Sequence, residues 1–241
     1  MVVFSGTDTG KIRKTNQDAF YSDFLPDKSA FIVVCDGMGG ANAGNVASQL
    51  AIKTITEYIN NSYSVRLDKF ALMDIMKNAV LSANFKIYEK SAENPEFFGM
   101  GTTAVVLIVR NGLAFICHVG DSRAYLINSE IKQLTKDHSV VQSLLEDGTL
   151  TPEEAKNHPD KNVITRALGV EKSLLPDLTE LPVEIGDTIL VCTDGLSNFA
   201  DDKEIFEIVK SNSPEDVIKI LIDTANKNGG RDNITAVTVT L

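Results

Sequence analysis

No apolar run in this 241-residue chain approaches the roughly 20 residues needed to cross a bilayer. The opening segment MVVFSGTDTG lacks the basic stretch and the long apolar core of a secretory signal. Cysteine is scarce. Cys35, Cys117 and Cys192 are odd in number and widely spaced, and each sits in an apolar, strand-like run. That pattern argues for small buried side chains and against a disulfide framework. No CxxC or His-x-His pair accompanies them, and His118, His138 and His158 are equally scattered, so a zinc site of familiar spacing is excluded. Positive charge is also short. Lys and Arg number 23 against 33 Asp and Glu, a formal net charge of -10, which removes most of the support for a nucleic-acid partner. The chain is expected to be soluble and cytoplasmic, with neither a nucleic-acid nor a membrane partner.

Several catalytic signatures are missing too. There is no GxxxxGK[ST] loop, no GxSxG elbow and no HExxH pair. No Pro/Ser/Gly-rich linker, internal repeat or low-complexity run divides the chain, so residues 1–241 are expected to form one domain. With 43% hydrophobic residues, a sizeable core is affordable in composition.

What is present alternates between strand and helix patterns. Strands are expected over Val2–Thr7, Ala19–Phe24, Phe31–Cys35, Thr103–Val109, Leu113–Val119, Arg123–Ile127, Leu174–Leu181, Thr188–Thr193 and Ile234–Leu241. Helical spacing of apolar residues marks Ala43–Asn60 (Val46, Leu50, Ile52, Ile55, Ile59), Leu67–Lys90, Lys203–Lys210 and Pro214–Lys227. Arg110-Asn111-Gly112 is a hairpin signal. The polar stretch Asp137–Arg166 is helix-prone, and Thr151, Pro152 and Glu154 read as an N-cap, an N1 proline and a capping-box acid. Strands grouped with hairpin turns, without regular crossovers, predict an α+β fold: two mainly antiparallel sheets packed face to face, with helix pairs outside them and a helical insert.

The chemistry lies in where the aspartates fall. In FIVVCDGMGG an apolar strand leads to Asp36, followed by glycines that let a backbone or ligand approach closely. Taken alone, Asp36-Gly37 reads equally as a tight turn. Asp194 repeats the arrangement in LVCTDG, Asp121 follows the strand AFICHVG, Asp232 precedes ITAVTVTL, and Asp18 precedes AFYSDF. A sheet can gather five such residues at one rim. Unneutralised, they would repel one another strongly. An all-oxygen set of this kind suits magnesium or manganese. Two such ions can bridge and acidify a water for attack on phosphorus. Arg13 lies five residues before Asp18, and a guanidinium fork can hold two phosphate oxygens. Arg123 and Arg231 stand next to Asp121 and Asp232 as possible charge partners.

Taken in order, RKTNQD, VVCDGMGGANAGNVAS, GMGTTA, HVGDSRAYL, LTKDHS, ITRALG, LVCTDGLSN and GGRDNIT resemble the metal-dependent type-2C Ser/Thr protein phosphatases, the PPM family, over nearly the whole chain. The resemblance implies a β-sandwich flanked by helix pairs, with a flap insert over about 137–166 and a dinuclear Mn2+ or Mg2+ site at one rim. It implies that Asp36 bridges two metals and the Gly37 carbonyl ligates one of them. Asp194 and Asp232 would complete the other shell, Asp121 would hold a third, weaker ion, and Asp18 would lie close by, largely holding metal-bound water. Arg13 would clamp the substrate phosphate. The implied reaction is one-step hydrolysis of phosphoserine or phosphothreonine in proteins, opposing a cognate Ser/Thr kinase, by a chain acting as a monomer.

Three positions depart from the family pattern: Gln17 for a usual glutamate, Ala41 for a frequent histidine proposed as general acid, and Asn45 for a frequent glutamate. Ala41 leaves proton donation to a metal-held water, with His118 or His138 as weaker candidates. Two alternatives stand beside this reading. One is a phosphatase dedicated to a phosphorylated anti-sigma-antagonist protein. The other is a non-catalytic relative that only binds phosphoproteins.

Overall fold

The computed structural model describes residues 1–40, 43–156 and 158–241. Its centre is a pair of sheets in which every strand pairing is antiparallel. One sheet runs β1 (Val2–Asp8), β11 (Ile234–Thr240), β10 (Thr188–Cys192), β7 (Arg123–Ile127), β8 (Ile131–Gln133). The other runs β2 (Asp18–Phe24), β3 (Ala30–Met38), β5 (Ala104–Arg110), β6 (Leu113–Val119), β9 (Asp177–Pro182), with the short β4 (Gly101–Thr102) pairing the end of β3. Helices α1 (Ala43–Ser62) and α2 (Lys69–Glu93) cover the second sheet. Helices α5 (Asp194–Ser197), α6 (Asp202–Ser211) and α7 (Pro214–Lys227) cover the first.

Strand periodicity explains this layering. Because successive side chains point to opposite faces, β3 sends Phe31, Val33 and Cys35 toward α1 and α2, and Ala30, Ile32 and Val34 into the space between the sheets. In β10, Ile189 and Val191 face that space while Leu190 and Cys192 meet the outer helices; β11 divides Val237 and Val239 from Ile234 and Ala236 in the same way. Strands buried on both faces read as continuous apolar runs, and three cores stack in one α-β-β-α block. All three cysteines are free and buried. Among the described residues, no helix is long and apolar enough to cross a membrane.

Local signals account for several boundaries. The β5–β6 hairpin turns through Asn111 and Gly112, both in the left-handed region at φ 52° and 73°, where asparagine and glycine are tolerated best. Asp68 caps α2 by accepting from Ala71 N at 2.9 Å. Thr151 and Glu154 bond reciprocally, with Thr151 N to Glu154 Oε2 at 2.8 Å, as a capping box requires.

Three expectations need correction. Strand β3 does not end before Asp36: it continues to Met38 because β4 extends the ladder, pairing Gly37 with Thr102 and Met38 with Gly101. Asp194 does not merely end a strand but opens the one-turn helix α5. The insert is less helical than its composition suggests. Among the described residues it holds only α3 (Val140–Glu146) and α4 (Pro152–Lys156), and it is closed at its base by the bridge Ser139↔Ile164.

Candidate metal centre

Four of the five aspartates line one pocket. Asp36, Asp121, Asp194 and Asp232 share it with Arg13, Gln17, Gly37, Thr103, Asn233 and the flap residues Asn162 and Ile164. They arrive from both sheets, as strand-end carboxylates in a face-to-face sandwich can. Asp18 does not line the pocket. It is buried behind the others, directly opposite Asp36 in the β2–β3 register.

Several of these aspartates are held by neighbours, most of them distant in sequence. Asp18 Oδ2 accepts from Thr193 Oγ1 at 2.9 Å and from Thr235 Oγ1 at 2.7 Å, which ties the edge of one sheet to β10 and β11 of the other. The backbone of Asp36 is fixed on both sides: its N donates to Thr103 Oγ1 at 2.9 Å, and its carbonyl accepts from Thr103 N at 2.9 Å. Thr103 is braced in turn by Ser122, Oγ1 to Oγ 2.7 Å. Asp194 Oδ2 accepts from Asn198 Nδ2 at 3.0 Å, one helical turn on. Asp232 Oδ2 meets Arg13 Nη2 at 2.8 Å.

Asn233 organises the lip that carries Arg13, and nothing in the sequence alone singled it out. Its Oδ1 accepts from Gln17 N at 2.8 Å, and its Nδ2 donates to Thr9 O at 2.9 Å and Thr15 O at 3.0 Å. One buried amide therefore clamps both ends of the loop that carries Arg13 into the pocket. Gln17, the neutral replacement, stands in the pocket wall and its carbonyl accepts from Gly37 N at 3.1 Å and Ser48 Oγ at 2.6 Å. Asn45 is exposed on α1. Ala41 lies outside the described residues.

The expected secondary roles for histidine and arginine fare differently. His118 and His138 stack with ring centroids 4.7 Å apart, but neither lines the pocket. Burial drives the His118 pKa down to about 3, with the adjacent His138 adding to it, so this ring is a neutral core group rather than an acid. Arg123 does not pair with Asp121; it grips Asp137, with Nη2 to Oδ2 at 2.7 Å. Arg231 makes no ion pair among the described residues.

The electrostatics fit a cation. Burial, reinforced by like charge, raises Asp18, Asp36, Asp121 and Asp194. Asp18 is pushed up to about 7 and Asp121 to about 8, with Asp194 a like-charged neighbour of both. Asp194 reaches about 6, with Asp232 beside it. Asp36 is well above the usual carboxylate range through burial, then through Asp18, Asp194, Asp121 and Asp232. Asp18 Oδ1 and Asp194 Oδ1 are buried without any hydrogen-bond partner, an arrangement that costs free energy unless something positive satisfies them. Among the described residues no three acidic, His or Cys side chains already form a closed chelate. The carboxylates share a pocket and repel, and the all-oxygen donor set suits a hard divalent ion.

A pH dependence follows from the direction of these shifts. A carboxyl whose pKa is raised on folding binds its proton more tightly in the native state, so stability falls as pH rises through the window between its unfolded and folded values. Metal-free protein is therefore expected to lose Tm between about pH 4, near the ordinary aspartate value, and about pH 8, the upper of the raised values. Manganese should raise Tm more at pH 8 than at pH 5, where protons compete for the same oxygens. Thermal melts at both values with and without Mn2+ check this; a metal-free Tm that rises across the window would contradict it.

Comparison with known proteins then gives the family. The family model described as protein phosphatase 2C matches residues 6–234. The chain belongs to the protein phosphatase 2C family. It is 37% identical over 235 residues to the serine/threonine phosphatase stp of Listeria innocua, covering 97% of this chain and 93% of that protein. The serine/threonine phosphatase Stp1 from Staphylococcus aureus superposes with a TM-score of 0.93 at 36% identity, over 99% of this chain and 94% of that one. The catalytic domain of the phosphatase PstP, in complex with two manganese ions, superposes at 0.86 and 33% identity over 98% of this chain and 96% of that one. The protein phosphatase 2C fold thus matches the antiparallel sandwich with flanking helices described above.

Proposed function

We propose that the chain is a divalent-metal-dependent protein phosphatase that hydrolyses phosphoserine and phosphothreonine in other proteins, opposing a Ser/Thr kinase. The observation that carries this reading is the meeting of Asp36, Asp121, Asp194 and Asp232 in one pocket with Arg13 at its mouth. Asp36 and Gly37, with Asp194 and Asp232, would hold two Mn2+ or Mg2+ ions, and Asp121 a third. Bound there, the ions would supply an acidified water and the positive charge that phosphoester hydrolysis needs.

The chain's own residues do the rest. Arg13 spends Nη2 on Asp232, which aims the guanidinium while leaving other N–H groups free for the non-bridging oxygens of a phosphate. Its side chain is 50% exposed, so a phosphate on a protein surface can reach it. Asn233 holds the Arg13 loop, and Thr193 and Thr235 hold Asp18, so that its unpartnered Oδ1 is available to the cluster. Neither His118 nor His138 lines the pocket, so the proton for the leaving alkoxide is assigned to solvent ordered by the site.

The test is phosphate release in manganese from matched peptides bearing phosphothreonine, phosphoserine or phosphotyrosine. Turnover of the first two well above the third is expected. Binding of all three without release of phosphate would establish the non-catalytic reading instead.

A further inference from the structure

The lip of the pocket that carries Arg13 has a charge unlike the rest of the molecule. Lys11, Arg13 and Lys14 place three cations within four residues, which happens nowhere else in a chain of formal net charge -10. The loop they occupy is bound to a second basic segment. Lys11 N donates to Gly230 O at 2.7 Å, Asn233 Nδ2 holds Thr9 O and Thr15 O, and Asn226 Nδ2 and Gly10 N both bond Asp8 Oδ1, at 3.1 and 2.8 Å. That second segment adds Lys227 and Arg231. Residues 9–17 and 224–231 together contain these five cations and no carboxylate.

These charges are available. Lys11, Arg13, Lys14, Lys227 and Arg231 are exposed, and among the described residues only Arg13 forms an ion pair. Of the carboxylates bonded into this lip, Asp232 is paired with Arg13, while Asp8, accepting from Gly10 N and Asn226 Nδ2, keeps its charge and offsets one of the five cations. Ile12 stands between the cations, 68% exposed, and offers an apolar contact on the same crest. Across the pocket, the flap contributes the uncharged Asn162 and Ile164. A peptide whose phosphoresidue entered the pocket beside Arg13 would pass its flanking residues over the segment that also carries Lys11 and Lys14, where unscreened charge acts over about 8 Å at physiological salt.

We propose that residues 9–17 and 224–231 form a cationic docking rim that favours phosphoproteins with anionic side chains flanking the phosphoserine or phosphothreonine. The inference rests on the phosphatase reading and adds a substrate class to it. Attraction to the rim acts on encounter and on the bound complex without touching the reacting phosphorus, so it sorts substrates by their flanks. Carboxylates and a second phosphate present the same anionic chemistry here.

The test uses the manganese-loaded full chain and phosphothreonine peptides that differ only in flanking Glu, Gln, Lys or a second phosphoserine. Low-salt kcat/KM is expected to be about tenfold higher for the anionic flanks than for lysine, with the gap closing as ionic strength rises. The variant carrying Lys11→Glu, Lys14→Glu and Arg231→Glu should reverse the order while p-nitrophenyl phosphate, which has no flanks, is turned over within about twofold of wild type. A higher rate for the doubly phosphorylated peptide than for the Glu peptide would name phosphate as the preferred flank. Equal rates for all flanks in the wild type, beside normal p-nitrophenyl phosphate turnover, would overturn the rim and leave the phosphatase reading intact. No turnover of p-nitrophenyl phosphate in manganese would overturn both.

Discussion

Asp36→Asn is expected to lower manganese-dependent phosphopeptide turnover by about 10³-fold or more, because removing the charge of the proposed bridging ligand would forfeit several kcal/mol of metal-derived stabilisation at about 1.4 kcal/mol per tenfold. The same substitution should raise the Tm of the metal-free protein. Asp36 is the carboxylate repelled by Asp18, Asp194, Asp121 and Asp232 together, so neutralising it removes the strongest conflict in the apo site. The backbone bonds that place it, to Thr103, are untouched by an isosteric amide. Activity falling while apo stability rises is the signature of a residue kept for function. A residue with a purely structural role would lower both. Paired assays and melts on wild type and variant, each with and without Mn2+, distinguish the two.

Gly37→Ala is expected to cost about 10²-fold in activity and to weaken manganese binding, although the change adds a single methyl. A Cβ at Gly37 would land on the Gly44 carbonyl and within 2.6 Å of Gln17 O. All of these neighbours are backbone, so none can swing away. Relief requires the β3 end to part from α1 or from the Arg13–Asp18 loop, and either movement displaces Asp36 by way of its own strand. Gly40→Ala supplies the control, since a Cβ there meets nothing within 4 Å among the described residues and should leave activity near wild type. Titration of activity against Mn2+ concentration for both variants checks the prediction.

Much of this architecture could be read from periodicity. The short apolar runs of β3, β10 and β11, the helical stripes of α1 and α7, and the Asn111-Gly112 turn are local patterns whose physical causes act within a few residues. The grouping of aspartates at strand ends was readable for the same reason, since each lies where an apolar run stops. What escaped depends on contacts far apart in sequence. Strand β3 runs past Asp36 only because the two residues of β4 pair with it, and two residues carry no period. Thr193 and Thr235 reach Asp18 across 175 and 217 positions, and Asn233 reaches Gln17 across 216. A threonine in a strand and an asparagine before one look like ordinary strand and turn residues until the sheets close. Strand-end position alone groups Asp18 with the other carboxylates, and only the β2–β3 register sets it behind Asp36 and out of the pocket. The flap misled because its helix-forming composition is spent on two short helices, α3 and α4, joined by turns.

The central claim is that these carboxylates act only by holding divalent metal. Its most direct test is phosphate release from a phosphothreonine peptide by protein stripped with chelator, then by the same sample after Mn2+ is restored. The account predicts no release above background in the stripped sample and recovery of turnover as manganese is added, in step with its binding. Turnover persisting in the stripped protein at the manganese-loaded rate would contradict it.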